Sequence, residues 1–249
     1  MVDPIEQFNI YKIFTIGHIG NQEIAFTNSS AYMFGTVAVI ALLMIGGVSR
    51  KDLVPGRIQS VAELSYEFVA NTIRSTAGTE GMRFFPFVFS IFMLLAISNL
   101  VGIIPYAFTI SSHIIVTAAL AIMVFLTVVI YGFYKNGLKF LKIFVPSGVP
   151  IYILPLVVAI EIFSFFVRPV SHSVRLFANM LAGHITLKVF ASFVATLGAF
   201  GFLGWLGAVL PLGLTVALTA LELLIAFLQA YVFAILTCIY LNDAIHPGH

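Results

Sequence analysis

Two apolar stretches, residues 154–195 and 208–241, are each longer than the roughly 20 residues that carry a helix across a bilayer. No water-soluble core of ordinary size absorbs runs of that length, so the solvent of this chain is lipid. Composition agrees. The 249 residues are 61% hydrophobic and only 9% charged, whereas a soluble domain needs about a quarter charged residues to face water. Mean hydropathy is +1.09.

Shorter apolar runs complete the pattern. A span is expected over 31–48, a second over 84–104 and a third over 114–134, the last two forming a hairpin. The two long stretches exceed one crossing at 1.5 Å per residue, which predicts long, tilted or bent channel helices. Between the first two spans, residues 57–77 place Ile58, Val61, Leu64, Tyr66, Phe68, Val69 and Ile73 among Glu63, Glu67, Asn71 and Arg74 at helical spacing. That is an amphipathic surface helix rather than a crossing. Residues 1–30 read as a polar segment outside the membrane. Pro146, Gly148 and Pro150 mark a loop, and Gly198, Gly201, Gly204 and Gly207 predict a closely packed turn between the two long helices. The fold class is therefore an all-α polytopic membrane protein, one membrane domain over 1–249 with about five crossing helices and one surface helix.

Basic residues orient it. Arg50, Lys51, Arg57, Arg74 and Arg83 lie between spans one and two, and Lys135, Lys139 and Lys142 follow span three, against Lys12 alone on the other side. By the positive-inside rule the N-terminus is outside and the C-terminus cytoplasmic.

Several function classes drop out. The formal charge of +2 and the lack of a long basic cluster give no footing for nucleic acid. Cys238 is the single cysteine and the six histidines show no ligand spacing, so neither a disulfide nor a metal site is expected. There is no GxxxxGK[ST] loop, and no cofactor is implied.

What demands a function is charge inside the last two stretches: Glu161, Arg168, Arg175, Lys188 and Glu222. Each costs about 2.5–3.5 kcal/mol near mid-bilayer on insertion scales. At 100° per residue Glu161, Arg168, His172, Arg175 and Asn179 share one narrow stripe, and Thr215, Thr219, Glu222 and Gln229 form a second. His184 and Lys188 fall nearly opposite the first stripe on a straight helix, so either Pro169 and Gly183 bend it or they face another cavity. Glu and His exchange protons, while Arg holds its own. Arg175 is then a fixed positive charge, with Glu161 and His172 to one side and His184 and Glu222 to the other. That is the pattern of two proton half-paths with a barrier between them.

The segments RPVSHSVRLFANMLAGHITLKVF and ALTALELLIAFLQAYVFAILTCIYLNDA resemble subunit a of the rotary F-type ATP synthase, as do VPGRIQSVAELSYEFV, SNLVGIIPYAFTISSH and the NGLKFLKIFVPSGVP loop. The resemblance implies a proton-translocating stator subunit, CF(0) in the family's vocabulary, with no catalytic site of its own. It implies that Arg175 faces the carboxylates of a rotating subunit c ring, with Asn179 and Gln229 beside it. It further implies that Glu222 and His184 serve the half-channel open to the outside, and Glu161 the half-channel open to the cytoplasm. His172, Ser171 and Thr219 are secondary lining positions, His172 reading equally as a packing group. The acid and the histidine sit as in mitochondrial-type members, the reverse of the enterobacterial arrangement. Implied partners are the c ring, peripheral-stalk b subunits, the rest of the synthase and the lipid bilayer of a bacterial inner membrane, or of a mitochondrial one. An ion-coupled secondary transporter would instead show internal repeats, and RLFANMLAGH has no second copy. A structural or assembly subunit would use 57–76 as a docking face.

Overall fold

A computed structural model describes residues 8–19, 22–48, 55–104, 107–145 and 149–247. Arg50, Lys51, Pro105, Pro146 and Gly148 of the expected loops lie outside them. Among the described residues two strands, β1 (Lys12–Ile19) and β2 (Gln22–Thr27), precede six α-helices: α1 (Asn28–Val48), α2 (Arg57–Gly81), α3 (Phe85–Ile103), α4 (Ile114–Asn136), α5 (Leu154–Gly198) and α6 (Gly201–Ile245). Five helical segments among the described residues are long and apolar enough to cross a membrane. They are Asn28–Val48, Arg57–Ile103, Ile114–Phe144, Leu154–Gly198 and Gly204–Ile245. The fold is that of an all-α polytopic membrane protein, because a helix satisfies its backbone polar groups internally where lipid offers no partner. The chain forms two compact units: Met1–Ala41 with Leu94–His113 and Leu176–Gln229, and Leu42–Met93 with Ile114–Arg175 and Ala230–His249.

The first unit holds the feature the sequence reading lacked. Residues expected as a polar segment form an antiparallel hairpin, with Lys12 opposite Thr27 and His18 opposite Glu23. Phe14 stacks on Phe26 with centroids 5.0 Å apart, and Lys12 pairs with Glu23. The signal was present: Gly20-Asn21 between two short β-prone runs is hairpin punctuation. The hairpin leads directly into α1. The Thr27 hydroxyl accepts from the Ser30 N–H at 3.4 Å as an N-cap. Asn28 ties back to the preceding chain, its side chain donating to the Asn9 carbonyl at 3.0 Å and accepting from the Tyr11 N–H at 3.1 Å. These bonds explain why α1 starts three residues before the expected 31.

The turn expected from Gly198, Gly201, Gly204 and Gly207 is confined to Ala199 and Phe200. Gly201 takes φ +77°, a conformation that favours glycine, and α6 begins there. Gly204 lets the new helix pass the end of the old one: a Cβ there would lie 2.0 Å from the Leu197 carbonyl oxygen. Pro169 and Pro211 lie inside the two 45-residue helices.

In the second unit α2 buries a stripe different from the one its large residues suggested. Ala62, Val69, Ala70, Ile73 and Ala77 are inside, while Ile58, Val61 and Leu64 are exposed. The alanines on that face permit close approach: a Cβ on Gly47 of α1 would meet the Ala62 Cβ at 2.7 Å. Phe68 packs on Phe92 and Tyr231, with centroids 5.5 and 5.3 Å away. After α4, a 3-10 segment over Gly137–Phe144 turns the buried Phe140 onto Gly132, where a Cβ would stand 2.4 Å from the ring.

Gly204→Ala should therefore lower the thermal midpoint of the detergent-solubilised protein, because overpacking against backbone costs about 1–3 kcal/mol. Gly213→Ala, whose Cβ would meet nothing within 4 Å, serves as the control and should leave the midpoint unchanged.

Candidate proton-handling site

In the first unit, α5 and α6 bring His184 and Glu222 together. Nδ1 of His184 lies 3.2 Å from Oε1 of Glu222, and both side chains are under 10% exposed. The contact has charge-pair distance without hydrogen-bond alignment, and neither Glu222 oxygen has a hydrogen-bond partner among the described residues. A carboxyl so enclosed is tolerated only by holding a proton or by facing a cationic imidazole. Gly183 makes the room, since a Cβ there would fall 2.8 Å from Oε1. The glycine next to His184, expected as a site of bending, thus serves as space for the acid.

Lower on the same pair of helices, Asn179 donates from Nδ2 to Oε1 of Gln229 at 3.0 Å. A further buried network lies within this unit. Asn99, wholly enclosed, donates to the Ala226 carbonyl at 3.2 Å and accepts from the Ser111 hydroxyl at 2.8 Å. Thr109, also wholly enclosed, places Oγ1 3.0 Å from Nε2 of His184. Sequence reading passed over Asn99, Thr109 and Ser111 because they stand outside the two charged stretches. Thr219, expected as a lining residue, is exposed and donates to the Thr215 carbonyl of its own helix.

The second unit holds Glu161, Arg168, Ser171, His172 and Arg175. Arg168 donates to Asp243 at 2.9 Å and approaches Glu161 at 3.7 Å. Its guanidinium carbon also stands 5.0 Å from the Tyr240 ring centroid. Asp243 was missed because it follows the last apolar stretch, where a charge is unremarkable by composition. His172 is buried edge-on to Phe233, centroids 3.8 Å apart, so it packs as well as facing the polar stripe. Ser171 points out. The buried serine is Ser173, whose hydroxyl is 3.1 Å from that of Thr117 on α4. Arg175 is exposed and, among the described residues, takes part in no ion pair. No group of three or more potential metal ligands occurs among the described residues.

An enclosed acid–histidine pair and a partly exposed arginine–acid bridge on long apolar helices mark a polytopic membrane protein with ionisable groups set in its spanning segments. Comparison gives the family. Residues 30–242 match the ATP synthase A chain family. Relatives named ATP synthase subunit a are 78% identical over 247 residues in Rhodopseudomonas palustris strain TIE-1, covering 99% of each chain. The relative of that name in Nitrobacter winogradskyi is 78% identical over 249 residues, covering 100% of each. The chain belongs to the ATP synthase subunit a family.

The Arg168–Asp243 bridge, partly exposed, should couple its two residues by about 1 kcal/mol. In a double-mutant cycle read by thermal unfolding, Arg168→Met with Asp243→Leu should then cost less than the two single changes added together.

Proposed function

We propose that this chain is the stator-side proton path of its ATP synthase, two offset half-channels that load and unload the carboxylates of a subunit c ring. Membership in the family makes it a membrane component of that complex concerned with proton transport, and its catalysis of ATP formation belongs to other subunits. The observation that carries the finer reading is the exposed guanidinium of Arg175 on an apolar helix. A permanent charge cannot be left to lipid cheaply, so an anion must be supplied from outside the chain. A ring of carboxylates passing this face supplies one repeatedly.

A proton then enters from outside by way of His184 and Glu222 and neutralises a ring carboxylate. The neutral site can leave Arg175 and turn through lipid, which an ionised one could not. Near Glu161, on the cytoplasmic side, it is stripped. Arg175 cannot relay a proton, so it separates the two paths and prevents a short circuit. Asn179, four residues after Arg175 in the sequence, is bonded to Gln229. Each proton crossing 100 mV delivers about 2.3 kcal/mol, so several must pass per ATP. In this reading the protein lies in a bacterial inner membrane, as its relatives' organisms suggest, with the N-terminus outside and the C-terminus cytoplasmic. Peripheral-stalk b subunits hold it against the ring.

Arg175→Ala tests this in inverted membrane vesicles, with retention of the ring checked by co-purification. ATP-driven acidification should vanish and passive proton leak should rise. Wild-type pumping by an assembled Arg175→Ala complex overturns the reading and favours a purely structural subunit.

A further inference from the structure

Thr109 sits on the connection between α3 and α4, fully buried, and touches two groups through one oxygen. Oγ1 is 3.0 Å from Nε2 of His184 and 3.5 Å from the Gly102 carbonyl oxygen. The second distance is long for a hydroxyl hydrogen bond, so at rest the hydroxyl belongs to the histidine. Gly102 permits the arrangement, because a Cβ there would lie 2.8 Å from the Thr109 Cγ2 and 3.1 Å from Oγ1. The backbone is held too: the Ser112 hydroxyl donates to the Thr109 carbonyl at 2.6 Å.

We propose that Thr109 is a positioning residue for proton transfer at His184, its hydroxyl rotating so that Nε2 stays hydrogen-bonded whether or not the ring is charged. The inference rests on the reading of His184 and Glu222 as the entry pair. With the ring neutral and its hydrogen on Nδ1, facing Glu222, the Thr109 hydroxyl donates to Nε2. When the ring gains one proton, that proton sits on Nε2. The N–H then donates to Oγ1, and the hydroxyl hydrogen turns toward the Gly102 carbonyl. Thr109 itself neither gains nor loses a proton.

The chemistry explains why a hydroxyl is needed here. A backbone N–H or a carbonyl could serve one form of the ring only, whereas a hydroxyl both donates and accepts. A buried ring nitrogen left unpaired in either form would raise the barrier between the forms. The β-branch of threonine restricts χ1 and so keeps Oγ1 on the histidine. Glu222 faces the ring from α6, and Lys188 follows His184 by one turn on α5. The ring of Phe8, 6.2 Å from that of His184, adds an apolar wall.

The test uses the intact complex in inverted vesicles, with ATP-driven proton uptake as the readout and assembly checked by co-purification. Thr109→Val should slow uptake about tenfold, the weight of roughly one lost hydrogen bond in a rate-limiting step. Thr109→Ser, which restores the hydroxyl, should recover most of the rate. Gly102→Ala, which displaces the hydroxyl without removing it, should fall between. Thr109→Ala is the second donor-less variant if Val prevents assembly. Wild-type uptake without the hydroxyl, or Ser as slow as Val, overturns the proposal. Glu222→Gln in the same vesicles separates the two levels. Normal pumping there removes the entry-pair reading, while lost pumping there with normal pumping in Thr109→Val removes the role of Thr109 alone.

Discussion

Lipid offers a polar group nothing to bond to, and each feature of this protein answers that constraint. The backbone answers by helix formation, and even the glycine-rich stretch after Gly198 yields only a brief turn before α6 resumes. Hydroxyls on the helices answer by donating inward, as Thr215, Thr219 and Thr237 do to carbonyls one turn back. Ionisable side chains answer by pairing: Glu222 with His184, Arg168 with Asp243 and Glu161. Arg175 alone among the stripe's cations shows no such partner among the described residues, and it is exposed.

Small residues set the geometry that makes those pairs possible. Gly183 leaves space for the Glu222 carboxyl, Gly102 for Thr109, and Gly204 for the last turn of α5. Each works by lacking a Cβ rather than by contributing a contact. Membrane helices without a hydrophobic drive between them rely on such close approach, because dispersion falls off quickly with separation. The same logic gives Ala62, Ala70 and Ala77 a place on the inner face of α2 beside Val69 and Ile73, while Ile58, Val61 and Leu64 stay outside.

On the proposed proton path, transfer and a stable fold make opposed demands at His184 and Glu222. Stability favours fully bonded buried groups, whereas transfer needs groups whose partners survive a change of charge. The unaligned 3.2 Å contact between them, beside a hydroxyl that can both donate and accept, reconciles the two. The bridge of Arg168 to two carboxylates is partly exposed, so water can share the cost of its charges.

The sequence by itself determined the solvent, the helical class and the place of the charged stripes. Hydropathy and the 3.6-residue period are local properties, and lipid allows few structures that satisfy them. It also singled out Arg175, His184 and Glu222, since a charge in an apolar run is conspicuous without any structure. Only the tertiary structure decided partners. Asp243, Thr109, Asn99 and Ser173 are ordinary in sequence and become significant because chain segments far apart meet. The hairpin over 12–27 and the inner stripe of α2 were likewise settled by pairing and close packing, which depend on what lies across an interface and not on spacing along one element.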